Sequence, residues 1–162
     1  MELTVRAARN EDAAVWAEIY NQGIEERQAT FETEPRTGAD LIGNIERTIV
    51  AEGDGRIVGW ANITPYSSRQ AYAGVGEFSI YVDRAARGKG VGRRLLTHLA
   101  VFAEGKGYHK LTSKIFPENE ASLALMRSCG FRDVGLHKRH ALLDGNWRDV
   151  VVVERLLGDA AR

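Results

Sequence analysis

Glu77-Phe78-Ser79-Ile80-Tyr81-Val82 runs, after a short connection, into Arg87-Gly88-Lys89-Gly90-Val91-Gly92-Arg93-Arg94. The first six residues read as a strand rich in aromatic and β-branched side chains. Beyond the glycines, Val91, Leu95, Leu99 and Phe102 are spaced for one face of a helix that Gly105 and Gly107 end. Where a strand feeds a helix in this way, the first helical N–H groups have no intrahelical partner. Those donors and the positive end of the helix dipole form an anion site. Gly88, Gly90 and Gly92 allow positive φ and close backbone approach, and Arg87, Lys89, Arg93 and Arg94 add charge. The expected ligand is a pyrophosphate. A Walker loop is excluded because Gly90 follows Lys89 where Ser or Thr belongs, and a dinucleotide fingerprint because Arg93 stands at the third glycine. A glycine-rich turn without a ligand is the structural alternative.

Working outward, Leu3–Ala7 alternates as a first strand, and Asn10 is placed to cap a helix over about Glu11–Glu26. Gln28–Pro35 reads as an irregular connection, and Thr37 as the cap of a short helix through Leu41 and Ile45. Ile49–Glu52 and Ile57–Pro65 are strands about the turn Gly53-Asp54-Gly55. Lys110–Phe116 is another strand, and Asn119 opens a helix that stops at Gly130. Phe131–Leu136 and Trp147–Leu156 close the chain as strands, with Asp144-Gly145 as a turn. This is mixed α/β (α+β), a mostly antiparallel sheet flanked by helices. With 162 residues and neither repeats nor a linker, 1–162 is expected to be a single domain. Lys+Arg and Asp+Glu each number 22, and a net charge of zero argues against nucleic acid as a partner. One cysteine, Cys129, allows no internal disulfide and fits a reducing cytosol. The absence of a charged-then-apolar leader or a long apolar run makes cytoplasmic location without membrane association the expectation.

Val82 followed by Arg87-x-x-Gly90-x-Gly92, with Asn119-x-x-Ser122-x-x-Leu125 ending in Gly130-Phe131, resembles the GNAT superfamily of acetyl-CoA-dependent N-acetyltransferases. That resemblance implies the GNAT fold, with about six to seven strands and about four helices. Further segments narrow it: Ala29 through Thr37, Arg69-x-x-Tyr72, Glu77-x-Ser79-x-Tyr81 and Gly145-Asn146-Trp147-x-Asp149-Val150 resemble phosphinothricin N-acetyltransferases. Ile19 through Ile24, Tyr66 through Arg69 and Tyr72 through Glu77 look closer still to the arsinothricin-resistance branch.

The resemblance implies a division of labour. The backbone of Ile80 polarises the acetyl carbonyl, and Val82 pairs with the pantetheine arm. The loop of Arg87, Gly88, Lys89, Gly90, Val91, Gly92 and Arg93 binds the pyrophosphate, while Asn119, with Ser122, contacts the arm near its sulfur. Glu77 is the candidate base, through water, for an acceptor ammonium that is mostly protonated at neutral pH; otherwise it is a solvated strand-edge glutamate. Tyr72 and Tyr81 match positions lining the acceptor pocket, or else are half-buried strand tyrosines. Arg69 is the candidate anion clamp, because a guanidinium pairs bidentately with carboxylate, phosphinate or arsinate, or else a surface arginine. Phe31 either covers the acceptor's aliphatic chain or packs in the core. His137 and His140 read as solvated or packed, and Cys129, at a helix C-terminus, as packing.

Two positions depart from the pattern. Met126 stands where relatives often carry a Tyr or His that protonates the departing thiolate, and a thioether donates no proton. Tyr81, a water or the substrate ammonium then supplies it, or no dedicated acid is used. Ala73 stands where some relatives carry a second clamp arginine. The implied reaction is acetylation of the α-amino group of a small anionic glutamate-like amino acid, of arsinothricin or phosphinothricin type, conferring resistance. Methionine sulfoximine or sulfone is the nearest substitute acceptor; a non-catalytic acyl-CoA-binding module is the competing class. No metal is expected, since no His/Asp/Glu cluster has ligand spacing. A homodimer is implied, with Gln28–Thr37 or the C-terminal strands near its interface.

Overall fold

The computed structural model describes residues Met1–Arg162. In chain order the elements are β1 (Leu3–Ala7), α1 (Ala13–Glu26), α2 (Gly38–Leu41), β2 (Thr48–Gly53), β3 (Arg56–Pro65), β4 (Val75–Val82), α3 (Val91–Gly105), β5 (Lys110–Ile115), α4 (Glu120–Ser128), β6 (Arg132–Leu143) and β7 (Asn146–Leu156). The seven strands form one sheet in the order β1-β2-β3-β4-β5-β7-β6. Every neighbouring pair is antiparallel except β4 and β5, which α3 connects as a parallel crossover. This is the mixed, mostly antiparallel α/β fold expected from the sequence.

Local chemistry sets the turns. Asp54 and Gly55 (φ 53° and 78°) and Asp144 and Gly145 (φ 50° and 80°) place both central residues of their turns in the left-handed region, which matches the twist of the flanking strands. Thr37 caps α2 reciprocally: its N–H donates to Asp40 Oδ2 at 2.8 Å, and the Asp40 N–H returns to its hydroxyl. Two expectations are corrected. Asn10 does not cap α1; it opens a single 3₁₀ turn, and α1 begins only after Asp12. Strand β6 also continues past Leu136 to Leu143. A bulge carries it on: Arg139 adopts φ 48°, and its N–H donates to Asp149 Oδ1 at 2.7 Å. The register shifts between His137 and Ala141, so the period-two pattern breaks while the strand does not.

The two faces of β4 have separate packing partners. Phe78, Ile80 and Val82 belong to the larger core, with Leu95, Leu99, Leu111, Met126 and Phe131 beneath α3 and α4. On the opposite face Tyr81 stacks on Trp60 (centroids 4.9 Å, 22° between planes) and meets Tyr20 of α1 at 5.0 Å. Helix α1 rides close over this cluster because Gly23 has no side chain: a Cβ there would lie 2.4 Å from the Tyr81 ring.

The start of α1 is tied to the sheet by charge. Arg6 of β1 donates to Asp12 at 2.8 and 3.0 Å and to Glu52 of β2 at 2.9 and 2.6 Å. The Arg9 N–H adds a bond to Asp12 at 2.7 Å. Asp12 is buried, and the Arg6 guanidinium holds its carboxyl below the ordinary range against the opposing effect of burial. A carboxyl whose folded pKa is depressed contributes stability that is fully present above its unfolded value, about 3.9, and lost as pH falls through the folded one. Asp12→Ala leaves Arg6 its Glu52 partner, so the expected cost is about 1–3 kcal/mol. Urea unfolding at neutral pH measures it, and the difference from wild type is expected to shrink as the pH is taken below about 4.

Candidate active site

Strands β4 and β5 pair over only three rungs, Val75 with Lys110, Gly76 with Leu111 and Glu77 with Thr112. Past that point β4 stays with β3 as far as Val82, and β5 stays with β7 as far as Ile115. The Ser113 hydroxyl donates to the Phe78 carbonyl at 3.0 Å where the strands part. Beyond this bond the edge of β4 facing β5 has no strand partner, an exposed row of backbone groups inside the domain. A cleft of about 470 Å³ opens there. Glu77 through Tyr81 of β4 and Ser113 through Ile115 of β5 form its walls, with Phe116, Asn119, Ser122 and Met126 from the β5–α4 side. Gln28 through Glu32 cover it from the α1–α2 connection, and Tyr20, Thr64, His140 and Val150 complete it.

The cleft gathers most of the sequence-derived candidates. Glu77 accepts from the Lys114 ammonium at 2.6 Å, with both side chains about one-third exposed (33% and 38%). Burial pushes the Tyr81 phenol well above its ordinary value, so it keeps its proton across the physiological range. Burial raises Tyr20 likewise, and Thr30 lies against both phenols, offsetting part of the effect. Phe31 lines the cleft and also meets Phe116 edge-on at 5.0 Å. Asn119 caps α4 by accepting the Ser122 N–H at 3.2 Å, and its amide donates to the Gln28 carbonyl at 3.3 Å, closing one end. Met126 is buried at the wall.

The glycine loop lies at the C-terminal end of β4. Gly88 and Gly90 adopt φ 76° and 83°. From Arg87 through Arg93 no backbone N–H has an intramolecular partner; the next, Arg94, donates to the Gly90 carbonyl at 3.2 Å. This unpartnered row at the start of a 15-residue helix suits a pyrophosphate. Gly92 is corrected in its reason: its φ is not positive, and a Cβ there would lie 2.7 Å from Leu125 Cδ2, so it lets α3 pack on α4. Val91 offers only its backbone, its side chain being core. The Arg87 guanidinium grips Glu26 at the end of α1 at 2.9 and 2.6 Å, and Arg93 donates to the Ser128 hydroxyl at 2.9 Å. Of the loop's cations, Lys89 alone makes no side-chain hydrogen bond.

Arg69 and Tyr72 are not among the residues of this cleft. They sit in the β3–β4 connection, where Tyr72 meets Tyr66 edge-on at 6.0 Å in a neighbouring groove with Val75, Lys110, Leu136 and Glu154. That groove is one side-chain step along the same sheet face, since Val75 and Glu77, like Lys110, Thr112 and Lys114, point to one side of their strands. The Arg69 guanidinium is exposed and makes no ion pair. His137 and His140 stack at 4.6 Å, and His140 reaches the cleft wall. Sequence reasoning missed Lys114. Alternation along β5 was visible, but only the β4–β5 register sets Lys114 against Glu77. No group of three or more His, Cys, Asp or Glu is placed to hold a metal ion, and no helix is long and apolar enough to cross a membrane.

The comparisons with known proteins agree with this geometry. The Acetyltransferase (GNAT) family matches residues 8–131. The phosphinothricin N-acetyltransferase of Alcaligenes faecalis is 33% identical, over 95% of this chain and 82% of the relative. An L-methionine sulfoximine/L-methionine sulfone acetyltransferase of Salmonella typhimurium is 30% identical, over 98% of this chain and 97% of its own. Among solved structures, a GNAT superfamily phosphinothricin acetyltransferase of Sinorhizobium meliloti in complex with AcCoA superposes with a TM-score of 0.90 at 32% identity, covering 99% of this chain and 91% of that one. A parted strand pair, a row of free N–H groups at a helix start and a carboxylate between them thus meet in a chain that belongs to the GNAT acetyltransferase family, an N-acetyltransferase whose acetyl donor is acetyl-CoA.

Proposed function

We propose that the acceptor is the α-amino group of a small anionic, glutamate-like amino acid of the phosphinothricin or arsinothricin type, and that acetylation in the cytoplasm detoxifies it. The observation that carries this reading is the Glu77 carboxylate, held in the cleft at the point where β4 and β5 part. Glu77 takes a proton from the acceptor ammonium, directly or through water, which frees the nitrogen lone pair to attack the thioester carbon. The Ile80 backbone N–H stabilises the oxyanion that forms, as a donor already fixed by the strand. When the C–S bond breaks, the electron pair leaves on sulfur, and the protonated Tyr81 phenol or the acceptor nitrogen itself supplies the proton. Met126 offers none. Unassisted departure is tolerable because a thiolate leaves readily at a pKa of about 8–9.

Other residues hold the two substrates. The N–H row from Arg87 to Arg93 binds the pyrophosphate, Val82 pairs with the pantetheine arm, and Asn119 and Ser122 flank its sulfur end. Phe31 covers the acceptor's methylene chain, while Tyr72, in the groove one step up the sheet face, and Arg69, exposed in the same β3–β4 connection, take the acidic head group at its far end. The Salmonella relative favours methionine sulfoximine or sulfone as a second acceptor class, whose tetrahedral, oxygen-rich heads present similar shape. A non-catalytic acyl-CoA module, the competing class, gives way to membership of this enzyme family.

A homodimer completes the proposal. Val134, Leu136, Leu142 and Trp147 on β6 and β7 are 46–59% exposed, an apolar surface on a chain of zero net charge. A second copy covering it would bury the outer strand.

Glu77→Gln is expected to lower kcat/KM by about 10²–10⁴-fold, while calorimetry shows acetyl-CoA binding unchanged. Thiol release from acetyl-CoA is expected with phosphinothricin, arsinothricin and methionine sulfoximine, and far less with glutamate or a peptide N-terminus. Turnover of the peptide alone would overturn the acceptor. Light scattering is expected to give twice the chain mass for the wild type and a monomer for Leu136→Glu/Trp147→Glu.

A further inference from the structure

The cleft contains one lysine and no arginine, and that lysine is Lys114. Its ammonium lies 2.6 Å from Glu77 Oε1 and has no other carboxylate partner. Both side chains stand on the same sheet face, about one-third exposed at the cleft rather than buried in protein. A structural ion pair so exposed adds little stability, so its contribution to the fold does not account for its place.

We propose that the Lys114–Glu77 pair recognises the zwitterion of a free α-amino acid, with Glu77 taking the α-ammonium and Lys114 the α-carboxylate. The inference rests on the reading of the acceptor as a free amino acid and sharpens it. In such an acceptor the two charges are separated only by the α-carbon, so a cation and an anion in hydrogen-bond contact on the protein are the matching template. On binding, each partner exchanges one charge-assisted bond for another of the same kind, and no charge is left unpaired in the cleft. A glutamate-like acceptor has a second anion at its far end, and Arg69, outside the cleft, is free to meet it. The two cations therefore read different ends of one molecule. Lys114 is a specificity-determining residue for the amino-acid end, which distinguishes a free amino acid from a peptide N-terminus whose carboxylate has become an amide.

The test compares phosphinothricin with its α-carboxamide on wild type, Lys114→Met and Lys114→Arg. In wild type the acid is expected to be preferred. In Lys114→Met, KM for the acid is expected to rise about 10- to 100-fold, the loss of one charge-assisted contact, and the preference for acid over carboxamide is expected to fall by the same factor. The difference in basicity between the two amines cancels when the preference is compared across variants. Lys114→Arg should restore most of the preference. A preference undiminished in Lys114→Met, or a fall in kcat on both acceptors with KM unmoved, overturns the Lys114 role while leaving the acceptor class standing. Wild-type protein that acetylates a peptide N-terminus and no free amino acid overturns both.

Discussion

The parting of β4 from β5 after Glu77 and Thr112 is the constraint on which the rest of the site depends. A sheet interior normally satisfies every strand edge, and an edge left open is costly unless something pairs with it. Here the strands part with different neighbours: β4 stays with β3, β5 with β7, and the Ser113–Phe78 bond marks the fork. The open edge offers an extended ligand a row of backbone partners, and the proposed site seats the arm of acetyl-CoA there. It also fixes the two sides of the reaction, because the α3–α4 face of β4 is core, whereas its other face carries Glu77 and Tyr81.

Charge is distributed around the fork with little to spare. The glycine loop appears basic in sequence, yet Arg87 is bound to Glu26 and Arg93 leans on Ser128. What the loop offers an anion is chiefly its row of backbone donors, which are aimed by fold geometry and need no side-chain ordering. Arg87 serves the same end indirectly by tying the loop to α1. At the acceptor end the reverse holds, since Glu77 and Lys114 are side-chain charges in contact, available to exchange partners.

The local elements were legible because their signals are local: Thr37–Asp40, the Asp-Gly turns, the helical spacing from Val91 and the Asn119 cap all act within a few residues. What sequence alone did not reveal depends on distant register. Gly92 was read as a glycine for an anion, but the Leu125 side chain that demands it belongs to another helix. The bulge at Arg139 needs Asp149 across the hairpin. Lys114 acquires its meaning only once β5 is set beside β4. The resemblance carried Glu77, Tyr81, Phe31 and Asn119 into one cleft, but Tyr72 lies in the adjoining groove and Arg69 is exposed in the same β3–β4 connection, where side-chain placement follows from tertiary packing.

The most direct test is a crystal structure of the protein with acetyl-CoA bound. The account requires the pantetheine arm to run along the open edge of β4, with the thioester oxygen about 3 Å from the Ile80 N–H and the pyrophosphate on the donors between Gly88 and Arg93. A donor lying outside the fork, with β4 and β5 paired on beyond Glu77 and Thr112, would contradict it.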